Sequence, residues 1–131
     1  TITVSGKTLK QMLKNNIKIR LEKISKGEGA ELLHNSGLTY SYDSKKANEG
    51  SDDFIVSMNV GRAEVNDEAM YTIATNNYVI SQFKKFFGEI SEPITPKETG
   101  WNDRDLIIEV VKQTGVINNV VEKRVVDVSK Q

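Results

Sequence analysis

The sequence predicts an α+β fold, because strand-like alternation and helix-like spacing of apolar residues are mixed along it without a regular βα repeat. With 131 residues, 37% of them apolar, and only two prolines, it has the length and composition of one ordinary domain. We therefore expect residues 1–131 to form a single compact domain with a mixed sheet and packed helices.

The first part of the chain predicts a strand followed by a helix. Residues 1–4 are strand-like, and Ser5 is a good N-cap. One helical face then carries Leu9, Met12, Leu13, Asn16 and Ile17, and four of these five residues are apolar. The glycines and charges of residues 22–35 predict a loop with about one helical turn.

Two strands are predicted in the middle of the chain, over residues 38–42 and 54–60. Apolar residues alternate in both, and Phe54, Val56, Met58 and Val60 are expected on one face before a turn at Gly61. The polar residues 43–53 predict a surface connection between the two strands.

The remaining elements are a strand, two helices and a closing strand. Residues 71–75 are β-rich, Asn76 and Asn77 tolerate turn geometry, and the apolar spacing over 79–87 predicts a short helix. After a loop rich in glycine and proline, Asn102 or Asp103 caps a helix whose apolar stripe is Leu106, Ile107, Val110 and Val111. Gly115 ends this helix, and residues 125–128 predict the closing strand.

Composition excludes several classes of function. Eighteen basic residues balance eighteen acidic ones, so no global field attracts nucleic acid or an anionic membrane. The absence of cysteine and the single histidine, His34, exclude thiolate metal sites and argue against an autonomous zinc hydrolase. No apolar run is long enough to span a membrane, and the strand-like start without a signal-peptide pattern suggests an internal part of a longer protein.

Two polar patterns resemble catalytic motifs and are better explained by local structure. Ser5-Gly6-Lys7-Thr8 lacks the earlier glycine of a phosphate-binding loop, so helix capping is the favoured explanation. The acidic pairs are Asp52-Asp53, Asp67-Glu68 and Asp103 with Asp105, and solvated turns and helix starts favour such acids without any ligand. We therefore predict no catalytic residue and no metal ligand in this chain.

The aromatic residues leave one open question. Phe83, Phe86 and Phe87 at helical spacing are more often core residues than a ligand platform. Tyr78 follows the β-rich segment directly, at a strand-to-helix junction where ligands commonly gather. Local physics favours packing for Tyr78, but a flat ring there also suits stacking on a purine or pyrimidine.

Three blocks in order resemble the carboxy-terminal domain of 5'-nucleotidases, UDP-sugar hydrolases and 2',3'-cyclic-nucleotide phosphodiesterases. The blocks are Thr3-Val4-Ser5-Gly6-Lys7-Thr8-Leu9-Lys10-Gln11-Met12-Leu13, Ser36-Gly37-Leu38-Thr39-Tyr40-Ser41-Tyr42-Asp43 and Tyr71-Thr72-Ile73-Ala74-Thr75-Asn76-Asn77-Tyr78. The helix ending at Gly115 and the segment Val121-Glu122-Lys123-Arg124-Val125 are similar to the family's final helix and closing strand.

The resemblance implies a substrate-specificity domain that grips a nucleotide or nucleoside. Hydrolysis of the phosphate ester would belong to an amino-terminal metallophosphoesterase domain of the same parent chain, with divalent metal ions there and no cofactor here. Tyr78 would be one of two aromatic residues that sandwich the base, with Asn77 shaping the junction. The family also implies an extracellular, cell-surface or periplasmic location.

The sequence departs from the family where the nucleoside would bind. Gln82-Phe83-Lys84-Lys85 replaces the family's Gly-Gly-Asp-Gly, so Lys84 stands where an acid should bind ribose hydroxyls. A lysine cannot accept those hydrogen bonds, although it could meet a phosphate or another anion. The alternative is therefore a structural or protein-interaction module that has lost nucleotide binding, and an autonomous enzyme is the least favoured hypothesis.

Overall fold

The structure, a computed structural model, describes residues 1–29, 32–117 and 120–130. The strands in this part of the chain are β1 (Ile2–Ser5), β2 (Leu38–Tyr42), β3 (Ile55–Val60), β4 (Ala63–Glu64), β5 (Met70–Ile73) and β6 (Val125–Asp127). The helices are α1 (Gly6–Ser25), α2 (Ser44–Asn48), α3 (Asn77–Ser81), α4 (Phe83–Phe87) and α5 (Asp103–Thr114), with a 3₁₀ turn at Val128–Lys130.

The strands form two sheets, so the predicted α+β class is confirmed. β1 pairs with β5 in an antiparallel two-stranded sheet. The second sheet has the order β4-β3-β2-β6, in which β6 runs parallel to β2 and the other pairs are antiparallel. Its parallel pair joins the end of the chain to the middle, which explains how distant segments of sequence share one domain.

A single core joins the two sheets through α1. Its buried apolar residues are Ile2, Val4, Leu9, Met12, Ile17, Tyr40, Tyr42, Phe54, Met58, Val65 and Phe87. The predicted inner face of α1 is confirmed, because Leu9, Met12 and Ile17 are buried and Leu13 packs against the core from the side. Asn16, the polar residue on that face, is also buried.

The start of α1 is fixed by its cap and by one glycine. Ser5 Oγ accepts the hydrogen bond of the Thr8 amide at 3.2 Å, which confirms the predicted N-cap. At Gly6 the backbone approaches the loop before β5 so closely that a Cβ atom would lie 2.0 Å from the carbonyl oxygen of Asn66. Only glycine fits this contact between two backbones.

The prediction of a loop with about one helical turn over residues 22–35 is confirmed at its start, since the last turn of α1 continues to Ser25. An ion pair between Lys26 and Glu22, with 2.6 Å between Nζ and Oε1, links two successive turns there. Gly27, with φ 73°, then ends the helix in the left-handed region. Residues 30 and 31 of the expected loop lie outside the described residues.

Two expectations, one about a strand and one about a helix, failed because a single residue interrupts the regular backbone in each. Val56 lies where the pairing of β2 with β3 shifts register, and it is 58% exposed instead of sharing the buried face of Phe54 and Met58. Gln82, with φ −108° and ψ 25°, divides the predicted helix over 79–87 into α3 and α4. The polar connection over 43–53 also contains α2, which Asp43 caps.

Helix α5 begins and ends where the sequence predicted, but none of its residues belongs to the core among the described residues. Asn102 caps it through the Arg104 amide at 2.9 Å, and Gly115 ends it with φ 71°. Its stripe is open to solvent, with Leu106, Ile107, Val110 and Val111 exposed by 43%, 64%, 53% and 38%. Four exposed apolar residues along one helix face are typical of a surface that packs against another protein surface.

Replacing Gly6 by alanine should destabilise the domain, because the new Cβ would collide with a backbone carbonyl that has no rotamer to escape through. We expect a loss of about 1–3 kcal/mol in the free energy of unfolding, measured by urea denaturation. Gly29→Ala is the matched control, since a Cβ there meets no atom of the described residues within 4 Å. Equal urea midpoints for the two variants would show that the close approach of Gly6 to the Asn66 carbonyl does not exclude a larger residue at position 6.

Candidate functional site

Tyr78 lies on the surface at the junction between β5 and α3. Strand β5 ends at Ile73, and Asn76 begins the helix by accepting the Val79 amide on Oδ1 at 3.0 Å. Asn77 is the first residue of α3 and is exposed. Tyr78 is 59% exposed, so the packing that local physics favoured does not enclose its ring.

The Tyr78 ring is nevertheless held in place by Phe86 of α4. Their centroids are 5.9 Å apart and their planes meet at 73°, the edge-to-face arrangement that aromatic pairs prefer. Phe86 in turn packs against the core. The arrangement therefore presents a supported aromatic ring to solvent, which is what stacking on a flat ligand requires.

Helix α4 is attached to α1 by two asparagine side chains. Asn15 Nδ2 donates to the carbonyl oxygen of Phe87 at 2.7 Å, and Asn16 Nδ2 donates to that of Phe86 at 3.0 Å. These carbonyls belong to the last turn of α4, where the helix itself offers them no partner. The position of Phe86, and with it the support of Tyr78, thus depends on α1.

Lys84 already has a protein partner in this structure. Its Nζ lies 2.8 Å from Oε1 of Glu89, and both side chains are more than three-quarters exposed. The hydrogen bond and the charge of Glu89 raise the pKa of Lys84 above its ordinary value, so the side chain stays cationic. Solvent screens such an exposed pair strongly, so a ligand anion could compete with Glu89.

The two residues before Lys84 have different environments. Gln82 is exposed between α3 and α4, whereas Phe83 packs against the core with its ring centroid 4.8 Å from that of Phe87. The expectation that the phenylalanines of this segment are core residues is confirmed for Phe83 and Phe87. Phe86 both packs against the core and contacts Tyr78, a double role that periodicity could not reveal.

The start of α1 does not offer its amides to a phosphate. The Gly6 amide donates to the carbonyl of Ala69 at 2.9 Å, and the Lys7 amide donates to that of Asp67 at 3.1 Å. The Thr8 amide is bound by the Ser5 cap. Since the first amides of the helix already have acceptors, helix capping explains Ser5-Gly6-Lys7-Thr8, as the sequence indicated.

A glutamate from the loop after α4 binds the same end of α1. Ser5 Oγ donates to Glu92 Oε2 at 2.9 Å, and the Thr8 hydroxyl donates to the same oxygen. These bonds, from Thr8 first and then Ser5, lower the pKa of Glu92 below its ordinary value of 4.5. The carboxylate therefore ties the loop to the helix in its ionised form.

The acidic pairs noted in the sequence are spread over the surface. Asp52 pairs with Lys18 and Asp67 with Lys10, at 2.6 Å and 2.7 Å between nitrogen and oxygen. Asp103 and Asp105 lie in the first turn of α5.

In the described ranges no three His, Asp or Glu side chains lie close enough together to hold a metal ion. Among the helices of this part of the chain, none has the length and hydropathy of a membrane span.

A groove of about 370 Å³ lies beside Phe86, between the second half of α1, residues 32–34 and α4. We call it the α1 groove. Its polar and aromatic lining consists of Asn16, Arg20, Lys23, His34, Lys85 and Phe86. No sequence motif predicted it, because its residues come from three separated segments and only the fold brings them together.

The structure is a mixed α+β domain with an exposed aromatic ring at one edge, and the sequence comparisons assign it to a family. Residues 1–89 match the sequence model of the family described as 5'-nucleotidase, C-terminal domain. This match covers well over half of the chain, so the protein belongs to that family, and the resemblance of the three blocks within residues 1–89 is confirmed. The similarity of the final helix and closing strand lies outside the matched residues and stays a prediction. A search of curated protein sequences returned no match.

Replacing Glu92 by glutamine should remove a pH-dependent part of the stability. Because the pKa of the folded state lies below 4.5, the carboxylate stabilises the fold above that pH and loses this effect as the pH falls through the folded pKa. The Tm of Glu92→Gln should therefore be lower than that of the wild type at neutral pH, and the two should converge well below pH 4.5.

Glu98→Gln serves as the control, since Glu98 is exposed and makes no side-chain hydrogen bond within the described residues. Its Tm should follow the wild type at every pH. A Glu92→Gln deficit that stays constant across the acid range would contradict the proposed attachment of the loop.

Proposed function

We propose that this chain recognises the nucleoside part of a nucleotide for a 5'-nucleotidase-type phosphoesterase. Membership of the family supports the proposal, and the observation that carries it is the exposed Tyr78 ring supported edge-to-face by Phe86. A stacking face is worth about 1–3 kcal/mol per base, so the chain alone should bind weakly.

In this proposal the phosphate ester is hydrolysed elsewhere in the parent protein. A metal-dependent amino-terminal phosphoesterase domain would hold the divalent ions, and this chain would deliver the substrate without supplying a catalytic residue. Such proteins work at the cell surface, in the periplasm or outside the cell, and we propose the same location here. The support for these points is the family resemblance alone.

The roles of the three proposed substrate residues differ. Tyr78 would stack on the base, while Asn77, exposed beside it, would shape the edge that the base approaches. Lys84 would meet an anionic part of the ligand by exchanging its contact with Glu89. Ribose hydroxyls would lack the carboxylate acceptor that the family provides at this position.

Titration with adenosine, followed by amide and aromatic NMR signals, tests the stacking role. Signals near Tyr78 and Phe86 should move, and Tyr78→Ala should weaken binding roughly 5- to 150-fold, the equivalent of about 1–3 kcal/mol. Trp101→Ala is the matched control, because Trp101 is also exposed, by 69%, and lies outside the site. Equal effects of the two substitutions, or shifts centred away from Tyr78, would refute the proposal.

A second candidate function is a protein-interaction module that has lost nucleotide binding. Two observations favour it: the lysine in place of the ribose-binding acid and the exposed apolar stripe of α5. Both are compatible with a domain that now serves as a docking surface beside its catalytic partner.

Restoring the family's residues separates the two candidates. Phe83 packs against the core, so we restrict the change to the exposed positions, Gln82→Gly with Lys84→Asp. A carboxylate acceptor for the ribose should then tighten adenosine binding several-fold, roughly one charge-assisted hydrogen bond, without changing the binding of free adenine. No gain for adenosine would favour the interaction module.

A further inference from the structure

A second groove lies beside β6, the strand at one edge of the four-stranded sheet. Its volume is about 790 Å³, and we call it the β6 groove. Residues 32–35 and residues 120–125 line it together with Arg20 of α1. It shares Arg20 and residues 32–34 with the α1 groove, but no residue of α4 lines it among the described residues. The β6 groove therefore belongs to the sheet edge and not to the aromatic junction at Tyr78.

Arg124 holds the two lining segments of the β6 groove together. Its Nη1 donates to the carbonyl oxygen of Asn35 at 2.7 Å. Its Nε and Nη2 donate to the two carboxylate oxygens of Glu122 at 2.7 Å and 2.9 Å. A guanidinium that binds both oxygens of a carboxylate fixes the orientation of the two side chains. The segments are thus joined before any ligand binds, which lowers the entropy that binding has to overcome.

The backbone of Val125 has a hydrogen-bond donor and an acceptor on the open side of β6. The Tyr40 amide donates to the carbonyl of Arg124 at 2.9 Å, and Tyr40 lies opposite Val125 in the parallel register. Alternate residues of a paired strand direct their backbone groups to opposite sides, so Arg124 and Val126 face β2 and Val125 faces away from it. No further strand of the described sheet lies on that side. Unpaired groups on an edge strand are a template for another strand.

Asn35 supplies a second donor and acceptor to the β6 groove. Its Nδ2 and Oδ1 are both shielded from solvent, and neither has a hydrogen-bond partner among the described residues. Burial of polar atoms without partners costs free energy. Because Asn35 lines the groove, a rotation of its side chain toward the groove recovers both hydrogen bonds when an amide is bound there. A peptide backbone has the matching acceptor and donor.

The side chains around the β6 groove favour an aliphatic residue and an acidic residue in a bound peptide. Val121 is 92% exposed, so its side chain is open to a ligand. Glu122 is neutralised by Arg124, whereas Lys123 forms no ion pair and no side-chain hydrogen bond in the described part of the chain. The described lining therefore has an excess of positive charge. Its apolar members are Leu32, Leu33, Val120, Val121 and Val125.

We propose that the β6 groove binds an extended peptide segment of a partner protein, which joins the sheet as a strand beside β6. Val125 exchanges backbone hydrogen bonds with the peptide, and Asn35 binds a second peptide amide. An aliphatic side chain of the peptide packs on the apolar lining, and an acidic one lies near Lys123. In such strand addition the main chain provides affinity and alternate side chains provide sequence preference. This site is separate from the proposed function and needs no nucleotide at Tyr78.

The probe for this inference is a blocked heptapeptide of alternating threonine and valine with one aspartate, titrated into the whole chain and followed by amide NMR signals. The Val125 amide should shift and should become protected from hydrogen exchange. Two further peptides carry a methyl group on one of two adjacent central backbone nitrogens, only one of which faces β6. Their affinities should differ about tenfold, the loss of one hydrogen bond. Equal affinities would overturn the strand addition without any change to the protein.

Substitutions test the side chains separately. Asn35→Ala should weaken peptide binding about fivefold to tenfold and leave the urea midpoint no lower than that of the wild type, because the free protein loses no hydrogen bond of this side chain. Asn48→Ala, at an exposed position of α2, is the matched control and should change neither quantity. An Asn35→Ala variant with unchanged peptide affinity would overturn the role of Asn35.

Lys123→Gln should remove the preference for the aspartate peptide over the same peptide with asparagine. Lys46→Gln is its control, since Lys46 is exposed on α2 and also forms no ion pair within the described residues. A preference for aspartate that survives Lys123→Gln would overturn the charge contact.

A second copy of this chain on the β6 edge would give a different result. Val125 protection would then rise with protein concentration in the absence of peptide, and sedimentation would show a dimer, which would overturn the assignment to a partner peptide. An unchanged Val125 amide at millimolar peptide would overturn it as well. Adenosine binding at Tyr78 should be the same in Asn35→Ala and in the wild type, so failure of the peptide site and failure of the nucleotide site can be told apart.

Discussion

The attachment of α4 to α1 is the interaction on which the candidate site depends. A helix of five residues is not stable by itself in water, and the carbonyls of its last turn need partners. Asn15 and Asn16 supply these partners for Phe87 and Phe86. Because Phe86 supports Tyr78 on one side and lines the α1 groove on the other, both parts of the site take their geometry from two amide side chains on α1.

The same helix offers no free amide to an anion in its first turn, among the residues that the structure describes. Its amino end, the usual place for an anion, is closed by carbonyls of the loop before β5 and by the Glu92 carboxylate. The α1 groove lies along the other half of this helix, where the helix dipole is unfavourable for an anion.

Much of the fold could be predicted from local sequence, whereas the site could not. Caps and periodicity identified the start of α1 at Ser5, the start of α5 at Asn102 or Asp103 and the alternation of β2, because each depends on neighbouring residues. Single-residue irregularities at Val56 and Gln82 left no periodic signal. Tyr78 was found through its junction and the family resemblance. The α1 groove could not be found in this way, because residues as far apart in sequence as Lys23 and Lys85 line it together only after folding.

The most direct test is the nuclear Overhauser contact between the Tyr78 and Phe86 rings in a variant that carries Asn15→Ala and Asn16→Ala. If α1 holds α4, this contact should disappear, while the contacts between the paired residues Tyr40 and Met58 of β2 and β3 should remain. Persistence of the Tyr78–Phe86 contact in the double variant would show that α4 is positioned without the asparagines and would contradict the account.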